Sequence, residues 1–70
     1  MNRGEFIDKL TRDLSDKGFL VNEIGDLLEV TYITGGSTKS LSFTKDFLYQ
    51  IYEKNTYKLV FHAVMEAAMK

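Results

Sequence analysis

The sequence predicts an α+β fold in the order α-β-β-β-α, a three-stranded antiparallel meander with one face covered by helices. Three observations carry that prediction. Apolar residues from Phe6 to Leu14 recur at helical spacing, two glycine-containing turns agree on one alternating core face, and the chain after Thr44 returns to helical spacing.

Each element can be justified in turn. Asn2 can cap a first helix, and Glu5, three residues on, can return the bond in a capping box. Phe6, Ile7, Leu10 and Leu14 form its apolar stripe, while Glu5–Lys9, Asp8–Arg12 and Asp13–Lys17 stand acid-first at i,i+4 on the solvated side. Gly18 supplies a left-handed residue to end the helix, and Phe19 is placed to close back on Leu14. Strands 19–24 and 27–34 flank Gly25-Asp26, a two-residue hairpin turn with glycine first. Strands 27–34 and 37–43 flank Gly35-Gly36, a second such turn. The first turn sets Val21 opposite Val30 and Phe19 opposite Tyr32; the second sets Val30 opposite Leu41 and Leu28 opposite Phe43. Both therefore place Phe19, Val21, Leu28, Val30, Tyr32, Leu41 and Phe43 on one face, and a one-residue slip would scatter that set.

The other face is mixed. Asn22, Glu29, Thr31, Thr38, Ser40 and Ser42 share it with Leu20, Ile24, Leu27 and Ile33. Glu23 and Lys39 fall on the core face near its ends, where long stems reach water.

Thr44 can cap a helix carrying Phe47, Leu48, Ile51 and Tyr52. Beyond Asn55-Thr56 the apolar set becomes Tyr57, Phe61, Val64, Met65 and Ala68, displaced by roughly a quarter turn or more at 100° per residue. A kink or split is expected near Asn55, which tolerates a left-handed conformation, with Thr56 as a new cap. Tyr57, Leu59 and Phe61 also alternate as a fourth strand would, but the helix-forming tail from Ala63 to Lys70 favours helix.

Composition narrows the function. The chain has 70 residues, no Cys, Pro or Trp, one His, and nine Lys+Arg against ten Asp+Glu, for a net charge of -1. That length holds one domain. Without thiols there is neither a disulfide framework nor a cysteine zinc site, and His62 alone cannot build a multi-histidine metal centre. No apolar run approaches the roughly 20 residues that span a bilayer. The N-terminus lacks the apolar core of a signal peptide, so a cytoplasmic protein is expected. A chain this small obtains only about 3–5 kcal/mol from a single core. Oligomerisation adds buried area, which makes a homodimer the natural expectation.

No motif points to catalysis. Thr34-Gly35-Gly36-Ser37-Thr38-Lys39-Ser40 lacks the P-loop glycines, since Thr38 precedes the lysine and Ile33 stands five positions earlier. It also leads into a strand, so no helix N-terminus would face a phosphate. His62 has Lys58 and Glu66 as its i±4 neighbours, which reads as a helix-surface contact. Asp8, Asp13, Asp16, Glu23 and Asp26 are interleaved with bases or scattered, not gathered in a calcium loop. No enzyme activity and no cofactor are expected.

Two interaction surfaces remain. Lys45, Tyr49, Lys54 and Lys58, with neighbouring tyrosines, mix basic and aromatic groups as single-stranded nucleic-acid sites do. Leu20, Ile24, Leu27 and Ile33, together with Val64, Met65, Ala68 and Met69, form an apolar surplus suited to a protein partner, where alanine permits close approach and methionine adapts. The element order is similar to that of the double-stranded-RNA-binding domain. That family opens its last helix with a basic cluster, where this chain has Thr44-Lys45-Asp46-Phe47, so the resemblance implies topology and no binding residues. The expected function is a non-enzymatic protein-interaction module, homodimeric, with nucleic-acid binding as the alternative. By analogy of size alone, such a domain suits a small bacterial or phage accessory or regulatory protein.

Overall fold

Asn2 begins the first helix as its sequence suggests. In the computed structural model, which describes residues 1–70, its Oδ1 accepts from the Glu5 amide at 2.8 Å, and its own amide donates to Glu5 Oε1 at 3.1 Å. Helix α1 runs Arg3–Asp16 and buries Phe6, Ile7, Leu10 and Leu14. It ends in a Schellman motif: the Phe19 amide donates to the Leu14 carbonyl and the Gly18 amide to the Ser15 carbonyl. The exit requires Gly18 at φ 94°, a conformation that a Cβ would strain.

Strands β1 (Leu20–Ile24), β2 (Leu27–Thr34) and β3 (Ser37–Thr44) form one antiparallel sheet in the order β1-β2-β3. Val21 lies opposite Val30, Val30 opposite Leu41 and Leu28 opposite Phe43, the register that the turns imply. Gly35 and Gly36 both have positive φ, which allows a type I′ turn with the twist a two-residue hairpin needs. At the other hairpin only Gly25 does, in keeping with glycine first.

Helix α2 (Lys45–Lys54) is capped by Thr44, whose hydroxyl accepts from the Phe47 amide at 3.1 Å. Helix α3 (Tyr57–Met69) is capped by Thr56 in the same way, through the Leu59 amide at 3.2 Å. The C-terminal region is therefore fully split, and Tyr57–His62 is helix rather than strand. Asn55 makes the break in extended rather than left-handed backbone. Its side-chain amide donates to the Ile51 carbonyl at 3.0 Å, which satisfies one of the last acceptors of α2.

The core joins α1, one sheet face, α2 and α3 through Phe6, Ile7, Leu10, Leu14, Phe19, Leu28, Val30, Leu48, Val60, Val64 and Ala68. Phe6 is its hub. Its ring stacks on Tyr52 at 4.7 Å and meets Tyr57 edge-on at 6.0 Å, so one side chain ties α1 to both later helices.

Three expectations about packing need correction. Phe47 is more than half exposed, because α2 docks through Leu48, Ile51 and Tyr52. The centre of the α3 stripe is Val60, Val64 and Ala68, with Tyr57, Phe61 and Met65 flanking it. The acid-first pairs on α1 do not form; instead Lys9 meets Asp13 at 3.3 Å, since Asp13 is engaged by Tyr57 from α3. Exposed ion pairs are too weak to resist such a competitor.

Candidate functional site: the uncovered sheet face

All three helices pack on one side of the sheet, leaving the other side bare. Alternation along the strands sends Leu20, Asn22 and Ile24 of β1, Leu27, Glu29, Thr31 and Ile33 of β2, and Thr38, Ser40 and Ser42 of β3 to that side. Leu20, Ile24, Leu27 and Ile33 are 57%, 56%, 40% and 56% exposed, whereas Leu28 and Val30 on the packed face are fully buried.

The register arranges these residues in bands. Ile24 and Leu27 are direct cross-strand partners beside the first turn. Next comes a polar rung, Asn22–Glu29–Ser42, where the Asn22 amide reaches Glu29 Oε1 at 3.4 Å. The Leu20–Thr31–Ser40 rung follows, with the Thr31 and Ser40 hydroxyls 2.8 Å apart. Ile33 lies beyond, diagonal to Leu20 and paired with Thr38. Two apolar patches thus flank a polar centre, spread over about 20 Å of strand.

The remaining candidates for a partner surface separate. Val64 and Ala68 belong to the core and offer no surface, which corrects their placement in the interface set. Their i,i+4 spacing puts them on the stripe that faces the sheet. Met65 is half-buried against the core, and only Met69 projects freely near the end of α3. No single patch unites the tail with Leu20, Ile24, Leu27 and Ile33.

The candidate nucleic-acid contacts also separate. Lys45 lies mostly buried along its side chain and is ion-paired with Glu23 at 3.2 Å, because its backbone is pinned to the first hairpin through the Asp26 carbonyl at 2.8 Å. Tyr49 packs beside Phe6 and Tyr52, with its hydroxyl donating to the Met1 carbonyl at 3.4 Å. Lys54 and Lys58 are exposed across the helix break. The four do not make one basic-aromatic surface.

His62 is exposed on the outward side of α3, in a shallow depression shared with Thr56, Lys58, Leu59, Ala63 and Glu66. The Thr56 hydroxyl there already accepts from the Leu59 amide, and no hydrogen bond joins His62 to Glu66. No three His, Asp or Glu side chains come together as a metal-ligand set. The first turn is instead braced by charge: Arg3 Nε donates to Asp46 Oδ1 at 2.8 Å, with Asp26 at 3.9 Å.

One polar contact escaped sequence reasoning. The Tyr57 hydroxyl donates to Asp13 Oδ2 and Lys9 sits 4.8 Å over the Tyr57 ring, linking α3 to α1. The Tyr57 bond, assisted by Lys9, holds the Asp13 carboxyl below its ordinary range. Burial and the facing carboxylate raise the Tyr57 phenol above its own. The contact ties α3 to α1.

Matched against protein-family models, curated proteins and solved structures, the chain finds no counterpart in any of the three. No helix is long and apolar enough to cross a membrane.

Proposed function

We propose that this chain is a non-enzymatic protein-interaction module that works as a homodimer and presents its uncovered sheet face to a protein partner, as an accessory regulator would. The observation that carries this reading is the exposure of Leu20, Ile24, Leu27 and Ile33 on a face that no helix covers. Isolated exposed apolar residues are common, but four on one face of so small a sheet are a surplus. The same smallness supports the dimer. The core holds only eleven buried residues, so added interface has a large relative effect on stability. Mass in solution at micromolar concentration tests the association. The expected value is twice the 8.0 kDa of one chain, and a strict monomer would overturn the homodimer.

A further inference from the structure

We propose that two copies join through the free edge of β3, antiparallel about a two-fold axis at Leu41, to form one six-stranded sheet. This pairing presupposes the homodimer just described and names its geometry. The second turn has two residues, so Thr34 and Ser37 form a hydrogen-bonded pair and the alternation continues along β3. Ser37, Lys39, Leu41 and Phe43 then spend their backbone groups on β2, while those of Thr38, Ser40 and Ser42 point away from the sheet. No hydrogen bond outside the ladder occupies them.

Edges of this kind are usually blunted by proline, a bulge, extreme shortness or a charged side chain, and β3 carries only the last of these, in Lys39. Here β3 is eight residues long, contains no proline, and keeps an uninterrupted register from Thr44 to Ser37. The opposite edge, β1, has five residues. The side chains of β3 are also self-complementary. Leu41 points to the helix-bearing side but remains 38% exposed, because β3 is the last strand and nothing lies beyond it. An axis at Leu41 sets this side chain against its own copy. It sets Lys39 opposite Phe43 of the other copy, avoiding a Lys39–Lys39 contact and laying the lysine stem on an aromatic ring. On the bare side it sets Ser40 opposite Ser42, two hydroxyls able to bond across the seam. Such a sheet carries both sets of Leu20, Ile24, Leu27 and Ile33 on one side, doubling the surface offered to a partner.

Single cysteines test the register, since the chain has none of its own. Directly opposed residues in an antiparallel pair lie within disulfide reach, whereas Thr38 and its copy would be about 20 Å apart. Under mild oxidation Leu41→Cys is expected to convert largely to a covalent dimer, and Thr38→Cys to remain uncross-linked. Ser40→Pro removes an amide that faces away from β2, together with the exposed hydroxyl that meets Thr31, and leaves the backbone ladder to β2 intact, so it should keep its circular-dichroism spectrum and shift from twice the chain mass to the chain mass. Equal cross-linking of both cysteine variants, or of neither, would overturn the β3 pairing. A dimer that survives Ser40→Pro but dissociates in Leu20→Asp/Ile33→Asp would overturn it while preserving the homodimer. A wild-type monomer would overturn both.

Discussion

The two faces of the sheet are drawn from the same three strands, yet one is packed and the other is bare. On the helix side Leu28 and Val30 are completely buried beneath the helices, whereas on the far side Leu27 and Ile33, on the same strand, remain 40% and 56% exposed. Composition separates them only in part, since both sides of β2 carry large aliphatic residues although the far side also holds Glu29 and Thr31. What separates them is the number of helical stripes available. Three helices supply enough apolar surface to close one face, and no element remains for the other. The difference teaches that helix packing secures the fold from one side only, and that the proposed association rests on the apolar residues left exposed on the other.

The largest way to break this contrast is at the hub of the packed side. Phe6→Ala should cost about 3–5 kcal/mol, because it removes the ring against which Tyr52 and Tyr57 pack. Chemical denaturation checks this, and a loss below about 1 kcal/mol would mean that the core tolerates collapse around Phe6. Thr56→Ala should cost about 1 kcal/mol by leaving the first turn of α3 without its cap, read in the same way.

The Tyr57–Asp13 contact sharpens the comparison through pH. Asp13 has a lowered folded-state pKa, so its contribution is present above its ordinary value of 3.8 and is lost as pH falls through the lower folded value. Tyr57 has a raised one, so its contribution is present below its ordinary value of 10.0 and is lost as pH rises toward the folded value. The stability advantage of wild type over Tyr57→Phe should therefore be flat near neutrality and shrink at both extremes. Urea unfolding across pH measures it, and an advantage that persisted unchanged into strong acid would contradict the bond. The smallest effect belongs to the bare face. Ile33→Ser should change the stability of the single fold by no more than about 0.5 kcal/mol, since the side chain touches little there.

Local chemistry made much of the fold legible. The Asn2 capping box, the Gly18 exit, both turns and the Thr44 and Thr56 caps depend on residues a few positions apart, and each appears as the sequence implies. The sheet register was readable because two independent turns had to agree on one core face. Helix phase was not. Whether Phe47 or Leu48 faces inward depends on how α2 docks, although Val60, Val64 and Ala68 did stand at i,i+4,i+8 and could have marked the buried stripe of α3. The pairs Arg3–Asp46, Glu23–Lys45 and Asp13–Tyr57 join residues far apart in the chain, so no spacing rule could find them. For the candidate site, alternation placed Leu20, Ile24, Leu27 and Ile33 on one face. Their division into two bands required the cross-strand partners, and the burial of Val64 and Ala68 required the helix packing.

The most direct test of the homodimer is the unfolding midpoint measured as a function of protein concentration. A dimer whose dissociation accompanies unfolding is stabilised by mass action, so the midpoint should rise steadily with concentration. A midpoint that stayed constant from low to high micromolar concentration, with a native mass of 8.0 kDa throughout, would contradict it.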